Sequence, residues 1–315
     1  MNHSDGTLIY EKSVSGRTGF TLPATRVSAS ERESWIPKRH RRAAPPALPE
    51  VSESEVMRHY VALSAKNFHI DKGFYPLGSC TMKYNPKVND AVAAHPRLSE
   101  LHPLTPDKYA QGALQILFEL QEMLASISGF DAVSLQPVAG AQGEFTGVLC
   151  IKAYHERKGK PRHKILIPDS AHGTNPATVA IAGLTPVELK SSTRGILSAA
   201  DVRAAIDSDT AGLMITNPNT LGLFESEIAE ILKIAHDAGA LVYMDGANLN
   251  AQLGVVYPGK IGFDLLHINL HKTFSTPHGG GGPGAGALCV TRELEPFLPK
   301  PQVVRSQSAD DIRYR

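Results

Sequence analysis

The chain predicts an α/β fold, a mostly parallel sheet with helices on both faces. Three observations carry this. From about residue 113 onward, short apolar segments alternate with longer segments of helical spacing. Several short segments, such as "LVYM" and "GLMI", are apolar throughout. Polar residues collect where those segments end. Strand–helix alternation implies parallel βαβ units, and strands without polar alternation imply cover on both faces.

The elements follow in order. The first seventy or so residues are rich in Pro, Ser and Arg and read as an arm, with one helix over Ser52–Lys66. "ALQILFELQEMLASISG" has helical apolar spacing and a glycine stop. "DAVSLQP" then reads as a strand, and "GAQGEFTGVLCIKAYHERKG" as a helix opened by small residues. Strand "KILIPD", a small-residue helix over Asn175–Gly183 and strand "PVELKS" come next. Helix "SAADVRAAID", strand "GLMITNP", helix "ESEIAEILKIAHDAG" and strand "LVYMDG" continue the alternation, and "FDLLHINL" and "GALCVT" close it. No internal repeat is visible. The expected organisation is an N-terminal arm and connector over 1–75, a large domain over 76–301 and a tail over 302–315.

Composition excludes several functions. Of 315 residues, 42% are hydrophobic and 20% charged, which suits a chain with a sizeable core. The formal net charge of +1 offers no global field for nucleic acid or acidic lipid. The basic run "PKRHRRAAPPALPE" lacks interleaved aromatics for stacking bases, and its prolines break a helix, so it reads as a solvated connector. Cys80, Cys150 and Cys289 are too few and too scattered for a disulfide framework. No apolar run approaches the roughly 18 residues of a membrane span, and the N-terminus carries no signal-peptide core. The expectation is a cytoplasmic protein with neither nucleic acid nor membrane as partner.

In sheets of this kind ligands bind beyond the carboxyl ends of the strands. Those ends carry Gln136–Pro137, Asp169–His172, Thr216–Pro218, Asp245–Asn248 and His271–Lys272. The stretch "HINLHKTFSTPHGGGGPG" places a lysine at the end of a buried strand and then strips the backbone behind it. It is not a P-loop, because Lys272 precedes the glycines. His267 and His271 would share a face of an extended strand, but no further ligand cluster accompanies them in sequence, so no metal is assigned. Pyridoxal 5'-phosphate fits better. It needs an amine to bond its aldehyde, an acid to keep its ring nitrogen protonated and a backbone cradle for its phosphate. Lys272 can supply the amine and Asp245, followed by Ala247, the acid. His172 can stack on the ring. Gly140, Ala141 and Gln142 open a helix whose free N–H groups suit a phosphate. Taken singly, Asp-Gly is a turn, a lysine is a surface group and a lone histidine is structural. Their chain order, a helix start, then a strand-end Asp, then a strand-end Lys, is that of fold-type I pyridoxal enzymes.

The motifs "YPLGSCTMKYNP", "QPVAGAQGEFTG", "DSAHGTNPA", "TNPNTLGLFE", "MDGANLNAQ" and "LHINLHKTFSTPHGGGGPG" resemble the glycine-decarboxylating P-protein of the glycine cleavage system. The early "LIYEKSVSGRTGFTLP" resembles the second subunit of its split form, and the likeness runs from Leu8 to about Pro301. The resemblance implies a fold-type I transferase-like fold. It implies that Lys272 carries the pyridoxal phosphate, that Asp245 pairs with its ring nitrogen and that His172 stacks on it. Thr216 would lie near its phenolic oxygen, and His271 would border the substrate carboxylate or a lipoyl arm. Cys80 lies in a family motif and reads as a small buried residue. The implied reaction is decarboxylation of glycine with transfer of the aminomethyl group to the lipoyl arm of the carrier H-protein. The implied partner is a homologous first subunit, in a heterotetramer. The family continues past Pro301 into a smaller domain, so 302–315 reads as the start of an absent or truncated one. Two alternatives stand: a non-catalytic or degenerate subunit of this fold, and another fold-type I decarboxylase or transferase acting without lipoate. Bareness of the glycine run would admit a lipoyl arm or the phosphate, or simply make a tight turn between strands.

Overall fold

A computed structural model of the chain describes residues 6–76, 80, 82–247, 249–278, 282, 284–308 and 311–314. Two compact units result, Met1–Tyr75 and Pro76–Arg315. The smaller has little regular structure: α1 (Ala29–Trp35) and α2 (Glu53–Ala65), with one 3-10 turn before α1 and one between the two. Ser52 starts α2 with a capping box, its side chain accepting from Glu55 N–H while the Glu55 carboxylate accepts from Ser52 N–H at 2.9 Å. The basic run is exposed, with one 3-10 turn at Lys38–His40.

The larger unit opens with the short helices α3 (Lys87–Ala93) and α4 (Pro96–Ser99), then the long α5 (Gln111–Ser128), which ends at Gly129 as its spacing predicts. Strands and helices then alternate: β1 (Ala132–Ser134), α6 (Gly140–Arg157), β2 (Lys164–Pro168), α7 (Thr174–Ile181), β3 (Thr185–Leu189), α8 (Ala199–Ala205), β4 (Thr210–Thr216), α9 (Ile228–Asp237) and β5 (Leu241–Gly246). After α10 (Pro258–Ile261) come β6 (Leu265–Asn269), α11 (Leu270–Thr273) and β7 (Gly286–Val290). The seven strands form one sheet in the order β1-β7-β6-β5-β4-β2-β3. Only β7 runs against its neighbours in this sheet. The chain leaves β2 toward β3 on one side and returns to β4 on the other, a reversal of strand order that opens a crevice at the strand ends.

Every residue of β4, β5, β6 and β7 is buried, which is why their sequences lack polar alternation. Side chains pointing to one face pack under α5, α8 and α9, with Leu124, Val202, Ile231, Val242, Met244 and Leu266 among them. Those pointing to the other pack under α6 and α7, with Val148, Ile151, Val179, Tyr243 and Leu265. Strand parity then decides the site. Asp245 shares its face with Tyr243, and His267 shares its face with Leu265, so both polar groups point toward α6 and α7.

One expectation needs correction. Lys272 does not end a strand. β6 stops at Asn269, and the chain closes one helical turn in which Phe274 N–H reaches Leu270 C=O at 2.8 Å. His267 and His271 therefore share no strand face. Near the C-terminus β8 (Arg305–Ser308) pairs with β9 (Asp311–Tyr314). Tyr314 is tied to α5 by backbone bonds with the Gln111 amide at 2.8 and 2.9 Å. No helix among the described residues is long and apolar enough to cross a membrane.

Candidate active site

Asp245 closes β5 and is buried. Its Oδ1 accepts from Ala247 N–H at 2.9 Å, and its Oδ2 accepts from the Asn175 amide at 3.1 Å. Parallel register places His267 of β6 directly beside it. His267 Nε2 lies 3.3 Å from Asp245 Oδ1, close enough for attraction but not aimed as a full hydrogen bond. On the other side of that ring, Nδ1 meets the Tyr243 hydroxyl at 2.7 Å. Burial holds the Tyr243 phenol well above its usual range, so it keeps its proton and donates it to Nδ1. With the phenol as donor to Nδ1, Nε2 is the nitrogen that turns an N–H toward Asp245. Burial is the largest influence on Asp245 and pushes its carboxyl up. His267, Ala247 N–H, Asn175 and Lys272 together outweigh burial and hold it below its usual value. An ionised carboxylate is thus maintained in an apolar sheet.

Lys272 lies within electrostatic range of Asp245. Burial lowers its amine, and Asp245, Cys80 and Glu144 pull it partly back. A half-buried, depressed amine is the nucleophilic kind. The segment around Cys80 supports it: Cys80 and Met82 are buried, and Lys83 Nζ donates to His271 C=O at 3.1 Å. Leu77, Gly78, Ser79 and Thr81 of that motif, like Asn248, lie outside the described residues.

The other expected residues fall around this pair. Thr216 ends β4 with its hydroxyl buried and without a hydrogen-bond partner among the described residues. The same holds for Asn217 Nδ2, Gln252 Oε1, Asn269 Oδ1 and Thr273 Oγ1. Unsatisfied buried polar atoms are rare, and here they gather at the strand ends. Gly140, Ala141 and Gln142 form the first turn of the 18-residue α6. Its N-cap residue, Ala139, supplies no side-chain cap, so the turn presents N–H groups and the positive end of the helix dipole. His172 is exposed in the turn before α7, with Nδ1 2.8 Å from Thr174 Oγ1. His271 is buried instead. Its ring stacks on His278 at 4.5 Å, and burial, the largest influence, holds its imidazole below the usual value, so it stays neutral.

The glycines behind Lys272 have an internal reason. A Cβ on Gly284 would lie 2.7 Å from His271 Nδ1, and one on Gly286 2.6 Å from Ala139 C=O. Gly279, Gly280, Gly281 and Pro283 lie outside the described residues.

Lone pairs, an acid, an amine and an uncapped helix start thus converge from distant parts of the chain. The donor set fits pyridoxal phosphate: a carboxylate for a protonated ring nitrogen, an unpaired hydroxyl for a phenolic oxygen and helix N–H groups for a phosphate. Residues 30–311 match the family model of the glycine cleavage system P-protein. The chain belongs to that family.

Its relatives in the P-protein family include the probable glycine dehydrogenase (decarboxylating) subunit 2 of Chloroherpeton thalassium. That protein is 58% identical over 307 residues, covering 98% of this chain and 62% of the relative. The protein of the same name from Listeria welshimeri is 52% identical over 308 residues, covering 98% and 63%. The chain therefore spans a little under two thirds of the curated relatives' length. Among solved structures, an inhibitor-bound glycine decarboxylase (P-protein) superposes with a TM-score of 0.73 at 23% identity, over 94% of this chain and 68% of that one. Lactobacillus brevis glutamate decarboxylase superposes with 0.60 at 11% identity, over 88% and 66%. Both share the α/β fold of the P-protein family, that of the fold-type I pyridoxal enzymes.

Sequence reasoning missed Glu144, Asn175, Tyr243 and His267 as one network. Glu144 and Asn175 bond at 3.0 Å, and the ligand atoms of Glu144, Asp245 and His267 lie within 4.8 Å of one another. His267 thus pairs with groups from other elements, not with His271. The usable signal is a charged residue among the glycines that open α6, on its buried face.

Proposed function

We propose that this chain supplies the catalytic centre for decarboxylation of glycine, with transfer of the aminomethyl group to the lipoyl arm of the carrier H-protein and release of carbon dioxide. The observation carrying this is the electrostatic pairing of Lys272 with the buried Asp245, beside a Thr216 hydroxyl that has no partner among the described residues, with the uncapped start of α6. Bound pyridoxal phosphate supplies an electron sink, which lowers the cost of the negative charge left on the glycine α-carbon when carbon dioxide departs.

The chain's residues do the rest. Lys272, its amine lowered by burial, would hold the cofactor's aldehyde and release it to the glycine amine. Asp245, its carboxyl held below its usual value, would keep a proton on the ring nitrogen. His267 keeps its Nε2–H turned to Asp245, under the grip of Tyr243. Thr216 would donate to the phenolic oxygen and His172 would cover the ring face, while Ala247 N–H fixes the Asp245 rotamer. Gly140, Ala141 and Gln142 would bind the phosphate. His271, neutral and stacked on His278, borders the substrate carboxylate or the arriving arm. The reaction balances without an outside oxidant. The bond from α-carbon to carboxylate breaks, and its electron pair stays with carbon. That carbon bonds one sulfur of the oxidised lipoyl group, and the second sulfur leaves with the S–S pair and takes a proton. A homologous first subunit completes the assembly.

The test uses the chain with that first subunit, pyridoxal phosphate and carboxyl-labelled glycine. Labelled carbon dioxide released only when oxidised lipoylated H-protein is present supports the proposal. Release at an equal rate without the carrier identifies a different fold-type I decarboxylase. Cofactor binding with no release under any condition identifies a supporting subunit.

A further inference from the structure

Glu144 is a buried acid that the reaction above leaves unused. It sits in the first turns of α6, 4% exposed. Its Oε1 accepts from the Thr174 hydroxyl at 2.9 Å, and its Oε2 accepts from the Asn175 amide at 3.0 Å. Each partner reaches one step further. Thr174 Oγ1 lies 2.8 Å from His172 Nδ1, and Asn175 Nδ2 lies 3.1 Å from Asp245 Oδ2. One carboxylate therefore stands between the group assigned to the ring face and the group assigned to the ring nitrogen.

Counting protons fixes the direction of each bond. The Asn175 amide nitrogen has two, one for each carboxylate. The Thr174 hydroxyl has one. If it goes to Glu144, the 2.8 Å contact with His172 needs a proton on Nδ1. In the competing arrangement Nδ1 is bare and accepts from Thr174 N–H at 3.2 Å and from the hydroxyl. That would strip the buried carboxylate of one of its two described donors. The first arrangement gives up the Thr174 N–H bond to Nδ1 but keeps both described donors on the buried carboxylate, whose bonds are roughly twice as strong as neutral ones, so it wins. A protonated Glu144 would reverse it, donating to Thr174 and turning that hydroxyl onto His172.

We propose that Glu144 is a positioning residue. As a carboxylate it holds His172 in its Nδ1–H form, leaving Nε2 as a bare acceptor at the site, and it keeps Asn175 as a donor to Asp245. The purpose assigned to this arrangement rests on the proposed function; the proton positions themselves do not.

The discriminating variant is Glu144→Gln, which keeps the shape but accepts on one oxygen only. Every hydrogen bond is kept if the new amide oxygen faces Asn175 and its N–H donates to Thr174. The Thr174 hydroxyl then turns to His172 Nδ1, and the imidazole proton moves to Nε2. The readout is nitrogen NMR of the full chain carrying labelled histidine, free of cofactor, at about pH 8.5, where an ordinary histidine is neutral. The His172 signals are assigned by their loss in His172→Gln. The wild type should show Nδ1 protonated and Nε2 bare, and Glu144→Gln the inverse. Thr174→Val, which removes the hydroxyl standing between Glu144 and His172, should abolish the preference. A wild-type Nε2–H form, or the same form in wild type and Glu144→Gln, overturns the proposal. If Glu144→Gln does not fold, a persistent Nδ1–H preference in Thr174→Val overturns it, and loss of that preference supports it. Adding pyridoxal phosphate to the same samples separates the two readings. Failure to bind it would sink the proposed function and leave the tautomer result standing.

Discussion

Replacing Asp245 with Asn removes one charge and inverts one hydrogen-bonding group. The carboxylate accepts from Ala247 N–H on Oδ1, where His267 Nε2 also faces it, and from the Asn175 amide on Oδ2. An asparagine offers one acceptor oxygen and one NH2. Either orientation turns that NH2 onto a buried donor, so one donor is left unsatisfied, at about 1–3 kcal/mol. For a unit of this size each kcal/mol shifts Tm by about 2–4 °C, so the cofactor-free variant should melt about 2–12 °C below wild type. The pH dependence has a definite sign. The Asp245 carboxyl is held below its usual value, so its contribution is complete above about pH 3.9 and is lost as the pH falls through the folded value. The gap between wild type and variant should close in acid. For catalysis, losing one preorganised charged partner costs roughly 10²–10³-fold in rate. Cofactor absorbance should persist in the variant, while carrier-dependent release of carbon dioxide falls by that factor. A variant with wild-type Tm and wild-type turnover would refute the placement of Asp245 against the ring nitrogen.

Three further outcomes follow from the same geometry. Gly147→Ala gains about 1 kcal/mol in helix propensity, but its Cβ would lie 2.2 Å from Tyr243 Cε2 in a fully buried contact. Overpacking of that kind costs about 1–3 kcal/mol or more, so urea denaturation should show a net loss of stability; an unchanged or raised midpoint would contradict the packing. Thr216→Val removes a buried hydroxyl with no partner among the described residues, so the cofactor-free chain should be as stable as wild type. Cofactor affinity should still weaken by roughly 2–12-fold, the equivalent of one hydrogen bond of about 0.5–1.5 kcal/mol, and equal affinities by spectral titration would remove Thr216 from the site. Lys272 has its amine lowered by burial, so the folded chain binds fewer protons than the unfolded one up to about pH 10.4. Wild-type stability without cofactor should therefore gain on Lys272→Met as the pH rises from neutral toward that value, and parallel denaturation profiles would contradict the buried amine.

Much of the fold was legible because burial on both faces erases polar alternation, and β4, β5 and β6 show that in their letters. The alternation of strands with helices fixed the parallel architecture, and the rim followed from strand ends. The one-turn helix carrying Lys272 was not legible. Four residues are too few for periodicity, and they continue an apolar run without a break. The buried network was hidden for another reason. Glu144, Asn175, Tyr243 and His267 come from four elements, and only strand register and helix packing bring them together. Asp245 looked like an Asp-Gly turn, and nothing local says that a histidine one strand away helps keep it charged. Two of the glycines have a reason that the letters do not show. Gly284 and Gly286 are bare because His271 and Ala139 press on them, a contact that sequence spacing does not encode.

The central claim is that Lys272, and no other amine, bonds the cofactor. Borohydride reduction of the chain loaded with pyridoxal phosphate, followed by peptide mapping, tests it directly. Lys83 is the informative competitor, since its amine is also lowered by burial and its Nζ lies against His271 C=O. The account predicts a stable pyridoxyl label on Lys272 alone, absent from Lys272→Ala. A label on Lys83, or one that survives in Lys272→Ala, would contradict it.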